Sequence, residues 1–311
     1  MLLTFITFAL YVNSFNATAI YNLPQKGGIA FAVEPSLVPR TTPLGGFEAI
    51  VASSTSDAFL ISRGSCFYGS RNGSKFKSFA LDPFLSGHRV IKTRDGNYLP
   101  YAIAFNSAKQ TCTIFFPFSW ELTQVSFDAH KAVRFKGFME AFSKIKRPPP
   151  NQIEGNAGCK IVLSADQKSL AISVGVKGAE VGEIGDIESG TYICRSQEKS
   201  AKFVGFGAPV GWLSPTRLVI LRPHFPSNTL RIVDLQGHTI WQTKHVAAAA
   251  VCKDRLYIGR EASHLTIHRL FAYSREGKPT KKYDLTLGLG FVPVGGKNEE
   301  LAVVNLAKQH S

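Results

Sequence analysis

The sequence predicts an all-β fold built from repeated four-stranded units, and three observations support this prediction. First, apolar runs of strand length alternate with short polar turns along most of the 311 residues. Second, a unit of two apolar runs around one turn recurs six times. Third, most of these units are followed by a second pair of runs. The six units lie at residues 47–62, 101–116, 162–174, 211–222, 248–259 and 290–304.

The spacing of the units favours a β-propeller. The first apolar residue after each turn recurs at intervals of roughly 40 to 60 residues, the length of a blade of four short strands. We therefore predict one propeller domain over residues 1–311, with six four-stranded blades. The sixth unit ends too close to Ser311 to supply outer strands, so strands from the N-terminus should close that blade. Residues 27–46 fit no blade and could hide a strand at 29–33; a hairpin there would make seven blades.

Outer strand pairs are predicted after five of the six units. The turns of four of them contain Asp or Ser followed by Gly, the residue types that short strand reversals require. A weaker fifth pair is predicted at 121–135. The four turns are Asp82 to Gly87, Asp186 to Gly190, Asp234 to Gly237 and Ser274 to Gly277.

The third unit carries a recognisable motif. It reads "LSADQKSLAIS" at 163–173 and is followed by "IGDIESGTYI" at 184–193. This order resembles the degenerate S-P-D-G-K-x-L-A…D-x-x-x-G-x signature of WD-repeat and TolB-like β-propellers. The resemblance implies a propeller fold and no particular activity.

The N-terminus has two interpretations. The apolar run at 2–12, followed by Ala17-Thr18-Ala19, is compatible with a signal peptide. However, no Lys or Arg precedes the run, and the last blade needs strands. These two facts favour a closing strand, and with it a cytoplasmic location over a secreted or periplasmic one. The run is too short to span a bilayer, so no membrane span is expected.

The charge balance points to an anionic partner. The chain has 36 Lys and Arg against 22 Asp and Glu, a formal net charge of +14. Such a surface favours an acidic protein or another anionic macromolecule. Nucleic acid also fits the charge, but no motif supports it.

The cysteines and histidines do not predict a metal site or a disulfide framework. The cysteines are odd in number and scattered, and most lie in strand-like runs, so we predict buried free thiols. His264 and His268 would lie about 13 Å apart on a strand, too far to share one metal ion. The five cysteines are Cys66, Cys112, Cys159, Cys194 and Cys252.

No catalytic residue or cofactor is predicted. The predicted inner strands offer Glu48 as their only carboxylate, whereas propeller enzymes with a cation in the central channel need several. The chain contains no G-x-S-x-G, P-loop or H-E-x-x-H motif. An enzyme is therefore less favoured than a binding protein.

The sharpest local signal is a basic insertion at about 128–158, between the second and third units. Apolar residues recur there at spacings of three and four, beside a cluster of Lys and Arg, until Pro148 to Pro150 end the pattern. This pattern predicts one or two helical turns, with 132–135 as an alternative last strand of the second blade. The candidate partner-binding residues are Arg134, Lys136, Phe138, Phe142, Lys144, Lys146 and Arg147.

Two roles for the insertion remain open. It could dock on an anionic partner or membrane surface, or its apolar stripe could cap the propeller rim while its basic face is merely solvated. For the whole chain, we favour a non-catalytic scaffold that binds a protein or other anionic partner through its loop faces. The alternatives are a propeller hydrolase or lyase with a site at the central channel, and an exported TolB-like binding protein.

Overall fold

The computed structural model describes part of the chain. The described residues are 17–22, 28–31, 47–52, 57–62, 65–70, 77–80, 91–93, 96–98, 102–106, 111–117, 119–126, 131–147, 160–176, 188–222, 228–252, 254–263, 266–288, 292–294 and 300–305. The side-chain packing reported below concerns residues between 104 and 283. The chain divides into two compact units, one of residues 1–99 with 287–311 and the other of residues 100–286.

Twenty-six strands and one short helical segment are described, numbered here in chain order. The strands before residue 100 are β1 (Ala17–Asn22), β2 (Gly28–Phe31), β3 (Phe47–Ala52), β4 (Asp57–Ser62), β5 (Ser65–Ser70), β6 (Lys77–Ala80), β7 (Ile91–Thr93) and β8 (Gly96–Tyr98). The next are β9 (Ala102–Asn106), β10 (Thr111–Phe116), β11 (Glu121–Ser126) and β12 (Lys131–Arg134), followed by a 3-10 turn (Lys136–Phe138) and helix α1 (Met139–Ser143).

The remaining strands follow the helix. They are β13 (Lys160–Leu163), β14 (Ser169–Val176), β15 (Glu188–Arg195), β16 (Lys202–Phe206), β17 (Ala208–Ser214), β18 (Arg217–Arg222), β19 (Thr229–Asp234), β20 (Thr239–Lys244), β21 (Ala248–Cys252), β22 (Arg255–Ser263), β23 (Thr266–Tyr273), β24 (Pro279–Gly288), β25 (Val292–Val294) and β26 (Glu300–Asn305).

The unit of residues 100–286 contains four antiparallel sheets of four strands. Their orders are β12-β11-β10-β9, β13-β14-β15-β16, β17-β18-β19-β20 and β21-β22-β23-β24. The first strands of these sheets contact one another in chain order, because β13 contacts β9 and β17, and β17 contacts β21. A Cβ added to Gly211 on β17 would lie 2.7 Å from the Cβ of Val251 on β21, so the glycine allows these inner strands to pack closely.

The other unit contains two four-stranded sheets and a hairpin. The sheets have the orders β3-β4-β5-β6 and β2-β1-β26-β25, and β7 pairs with β8. In the second sheet β1 pairs antiparallel with β26 over its whole length, from Ala17 opposite Asn305 to Asn22 opposite Glu300. N-terminal strands therefore do join the last hairpin, but at 17–22 and 28–31. The apolar run at 2–12 lies outside the described residues.

All six predicted hairpins are confirmed, because each corresponds to two consecutive paired strands: β3–β4, β9–β10, β13–β14, β17–β18, β21–β22 and β25–β26. The all-β fold of four-stranded antiparallel sheets is confirmed with them. Three outer pairs are also correct, at β11–β12, β19–β20 and β23–β24.

The predicted outer pair of the third unit is wrong. Gly190 does not form a turn, because it lies inside β15 and pairs with Val174 and Phe206. The hairpin turn instead follows Arg195, where Gln197 adopts a positive φ of 71°. A Cβ on Gly190 would lie 3.3 Å from the ring of Phe203, so the glycine makes room for an aromatic ring.

The predicted outer pair of the first unit is also wrong. Its strands are β5 and β6, both of which precede the predicted turn at Asp82 to Gly87. Residues 81–90 lie outside the described part of the chain. The sequence "SCFYGS" of β5 was not recognised as a strand because serine and glycine occupy half of its positions.

The turns that the sequence singled out have side-chain support. Asp166 accepts hydrogen bonds from the Ser164 hydroxyl (2.6 Å) and the Lys168 amide (3.0 Å). Asp234 accepts bonds from the amides of Gln236 (2.8 Å) and His238 (2.9 Å). The three bonds from backbone amides satisfy donors that the chain reversals leave without backbone partners.

Candidate functional site

The predicted insertion begins with a strand and continues as a short helix. The backbone of Arg134 ends β12, and the Phe135 amide donates to the Leu122 carbonyl (3.0 Å), which extends the pairing. Lys136 and Phe138 lie in the 3-10 turn that leads into α1. Both predicted features, a last strand and a short helical segment, are therefore present. The side chains of Arg134 and Lys136 are outside the described set.

The apolar face of the helical segment is buried. Phe138 is 2% exposed and Phe142 is 0% exposed. The Phe142 ring stacks on Trp120 with centroids 5.2 Å apart and meets Phe115 edge-on at 5.5 Å. The same cluster includes Leu170 of the neighbouring sheet. Both candidate phenylalanines therefore belong to the core of their own unit, and a partner cannot reach them without displacing the helix.

The basic residues after the helix are exposed. Lys144 follows α1 directly, and its amide donates to the Ala141 carbonyl (3.1 Å). Ile145, 5% exposed, then returns to the core, while Lys146 and Arg147 face solvent. Because Phe142 and Ile145 are both buried, the backbone of Lys144 between them is held in place. We call residues 144–147 the basic segment.

A second surface was not predicted from the sequence. Phe203 and Phe206 on β16 are 44% and 41% exposed, and their rings meet at 5.3 Å with an interplanar angle of 71°. Tyr192 contacts Phe203 at 5.4 Å, and the Arg222 guanidinium lies over the Phe206 ring at 5.6 Å. We call these residues, together with Arg231, the aromatic–arginine surface.

Arg231 joins β19 to the edge of the neighbouring sheet. Its Nη2 donates to the Phe206 carbonyl at 2.8 Å, while its Nε is buried without a hydrogen-bond partner among the described residues. Burial, and then the positive charge of Arg222, lower the pKa of Arg231 below its ordinary value. A Cβ on Gly205 would lie 2.6 Å from Nη2, so a side chain at this position would displace the end of the Arg231 side chain.

The sequence signal for this surface was the pair of glycines around Phe206. Gly205 and Gly207 have positive φ values of 128° and 119°, and Gly205 breaks the alternation of side chains along β16. A strand with two aromatic residues and two such glycines could have been recognised as irregular. The sequence alone could not show that Arg231, on another sheet, lies beside it.

An ion-pair network links two sheets of the same unit. Arg217 donates to the Arg275 carbonyl (3.0 Å) and pairs with Glu276 (3.1 Å). Arg275 in turn pairs with Asp254 (3.1 Å). These residues connect turns of the β17–β20 and β21–β24 sheets, and their exposure makes each pair worth little on its own. The network explains how neighbouring turns are held together and offers no reactive group.

The described residues contain no metal-binding cluster. No group of three or more His, Cys, Asp or Glu side chains among them could hold an ion. His268 lies on a strand, β23, as expected, while His264 is outside the described residues. In the described part of the chain no helix is long and apolar enough to cross a membrane.

Cys194 is a buried free thiol, as predicted. Burial, and next the charge of Glu198, raise its pKa to about 12, which keeps it protonated and unreactive at neutral pH. It lies on β15, the third strand of its sheet. The state of the other four thiols stays a prediction.

Comparison with known proteins supports the fold. No family model and no curated protein matches the chain. A solved structure of a nidogen/laminin complex aligns with a TM-score of 0.50 and 8% identity, over 86% of this chain and 93% of that one. The RRP9 WD40 repeats align with a TM-score of 0.46 and 8% identity, over 86% of this chain and 96% of theirs. TolB from Acinetobacter baumannii aligns with a TM-score of 0.44 and 11% identity, over 86% of this chain and 64% of that one.

At such identities the likeness concerns the fold alone. The alignment with the nidogen/laminin structure, a β-propeller, covers most of both chains. It agrees with the four-stranded antiparallel sheets and with the motif of the third unit. The chain therefore has a fold-level resemblance to β-propellers.

Proposed function

We propose that this protein is a non-catalytic β-propeller scaffold that binds an anionic macromolecule, in the first instance an acidic protein, through the basic segment. The observation that carries the proposal is the contrast within 138–147. The apolar side chains are locked into the core, while Lys144, Lys146 and Arg147 face solvent.

We further propose that the scaffold is a single domain of six blades. Six four-stranded sheets occur among the described strands, each with the antiparallel order of a blade. The pairing of β1 with β26 supports closure of the last blade by N-terminal strands. The contacts of β13 with β9 and β17 support a radial arrangement in which first strands are innermost.

The fixed position of the basic segment favours binding over mere solubility. A flexible basic loop loses backbone entropy on binding, whereas the backbone of Lys144, which lies between the buried Phe142 and Ile145, is already ordered by folding. The positive charge of the basic segment attracts an acidic partner at long range. Because the backbone at Lys144 is already ordered, the segment can then contact that partner without a backbone rearrangement.

The test compares two charge reversals of equal size. Lys144→Glu, Lys146→Glu and Arg147→Glu remove the basic segment. Lys278→Glu, Lys281→Glu and Lys282→Glu change the same net charge at exposed positions elsewhere in the unit. Proteins retained from native extract are identified for both variants and the wild type at low and high salt, beside melting curves.

The proposal expects a set of acidic proteins on the wild type and the control variant at low salt, and their loss from the first variant. All three proteins should melt at similar temperatures, because exposed charges contribute little to stability. If the first variant retains the same proteins as the wild type, the basic segment has no role in binding and the helix is a structural cap.

A further inference from the structure

We infer that the aromatic–arginine surface is a second docking site, which takes an extended segment of a partner protein that carries an acidic side chain next to an apolar or aromatic one. This site uses none of the residues of the basic segment. It therefore stands or fails independently of the function proposed above.

The apolar part of the surface has the composition of a protein interface. Aromatic residues and arginine are enriched in interfaces relative to other surfaces, because they supply a large contact area at a small cost in conformational entropy. Phe203 and Phe206 expose more than two fifths of their surface each, and they are adjacent. Two neighbouring exposed rings form a patch, whereas singly exposed apolar residues are common on any surface.

The local backbone is shaped to place the two rings together. Residues three apart on a regular strand point to opposite faces, yet Phe203 and Phe206 are in ring contact. The positive φ of Gly205 breaks the alternation. The same glycine leaves room for the guanidinium of Arg231. One irregularity thus presents both the aromatic pair and the cation.

The charge of the surface specifies an acidic occupant. Arg231 donates one N–H, from Nη2, to a backbone carbonyl, while its Nε has no hydrogen-bond partner in the described part of the chain. Arg222 adds a second guanidinium over the Phe206 ring. A carboxylate bound here would be next to two positive charges and would form charge-assisted hydrogen bonds.

The ring geometry favours a peptide over single-stranded nucleic acid. Successive bases stack on aromatic faces that follow one another along a groove. Here Phe203 and Phe206 meet edge to face, and Arg222 lies over the Phe206 ring. This leaves a compact apolar patch, suited to one or two side chains.

The experiment uses the full chain and a random library of twelve-residue peptides displayed on phage. Peptides are selected on the wild type and then measured as labelled synthetic peptides by fluorescence anisotropy. The variants are Phe203→Ala with Phe206→Ala, and Arg231→Gln. Ile240→Ala serves as the matched control, because Ile240 is an apolar residue that is 43% exposed on β20, a strand of the neighbouring sheet. A labelled oligouridylate provides the nucleic-acid arm.

The inference expects selected peptides with Asp or Glu beside Trp, Phe or Leu. Their affinity should fall about tenfold or more in either variant, as loss of a charge-assisted bond or an aromatic anchor predicts, and stay unchanged in the control. Melting curves should show that both variants are folded. A selection without such a motif, affinities unaffected by the variants, or oligouridylate binding that the variants abolish would each overturn the inference.

Discussion

Replacing Phe142 by alanine should destabilise the unit of residues 100–286 by about 4 kcal/mol. Phe142 is fully buried, and truncation of such a residue costs roughly 3 to 5 kcal/mol through lost apolar burial and the cavity that remains. Its ring contacts with Trp120 and Phe115 are lost as well. Each such aromatic pair contributes about 0.5 to 1.5 kcal/mol, which places the expected loss at about 4 kcal/mol rather than at the lower end of the range for truncation.

The matched control is Phe203→Ala, which makes the same chemical change at a position that is 44% exposed. Surface truncations of this kind usually change stability by less than about 1 kcal/mol. Urea unfolding and thermal unfolding, both followed by circular dichroism, measure the free energy of unfolding and the melting temperature of the two variants. Because a change of 1 kcal/mol shifts the melting temperature of a domain of this size by about 2 to 4 °C, Phe142→Ala should melt roughly 10 °C lower than the control.

The result that refutes the reasoning is an equal effect at the two positions. If Phe142→Ala melts with the wild type, the helical segment is not part of the core, and the aromatic face would be available to a partner. If Phe203→Ala is as destabilising as Phe142→Ala, the aromatic–arginine surface stabilises the fold and is not a free surface for a partner.

Two further predictions concern the turns. Gly277→Ala should lower the free energy of unfolding by at least about 2 kcal/mol, since φ is +76° and the new Cβ would lie 2.4 Å from the Trp241 ring. Gly137→Ala, whose new Cβ would have nothing within 4 Å, should be neutral or slightly stabilising. Thermal unfolding of both variants tests this prediction. The Ser164 hydroxyl lowers the pKa of Asp166, so its ionised form stabilises the fold above the ordinary aspartate range and this contribution is lost as pH falls through the lowered pKa. Asp166→Asn should therefore be a few tenths of a kcal/mol less stable at neutral pH, with the gap closing in acid; a gap that persists in acid would contradict the assignment.

The hairpins could be predicted from the sequence because their signals are local. Each has two apolar runs and a turn with suitable residues, such as Ser164 to Lys168. The helical segment was predicted for the same reason, since apolar residues at spacings of three and four define one face within a few residues. The four-stranded units followed from the regular recurrence of these local patterns.

The misplaced turn of the third unit has a physical cause, which is that glycine marks close packing as well as turns. Gly190 was assigned to a turn because an aspartate precedes it, yet it accommodates the ring of Phe203. Gly211 similarly allows two inner strands to approach. Such contacts join residues that are distant in sequence, so the sequence alone cannot show whether a glycine forms a turn or allows close packing.

One strand, β15, packs against both the helix that carries the basic segment and the aromatic–arginine surface. Tyr192 and Cys194 are two residues apart on β15 and therefore lie on the same face. Cys194 belongs to the buried cluster beneath α1, and Tyr192 packs at the margin of that cluster. Tyr192 also contacts Phe203, which begins the exposed aromatic patch. The packed strand β15 therefore links the core beneath the basic segment to the aromatic–arginine surface. A partner bound at either surface would contact residues that pack on this strand.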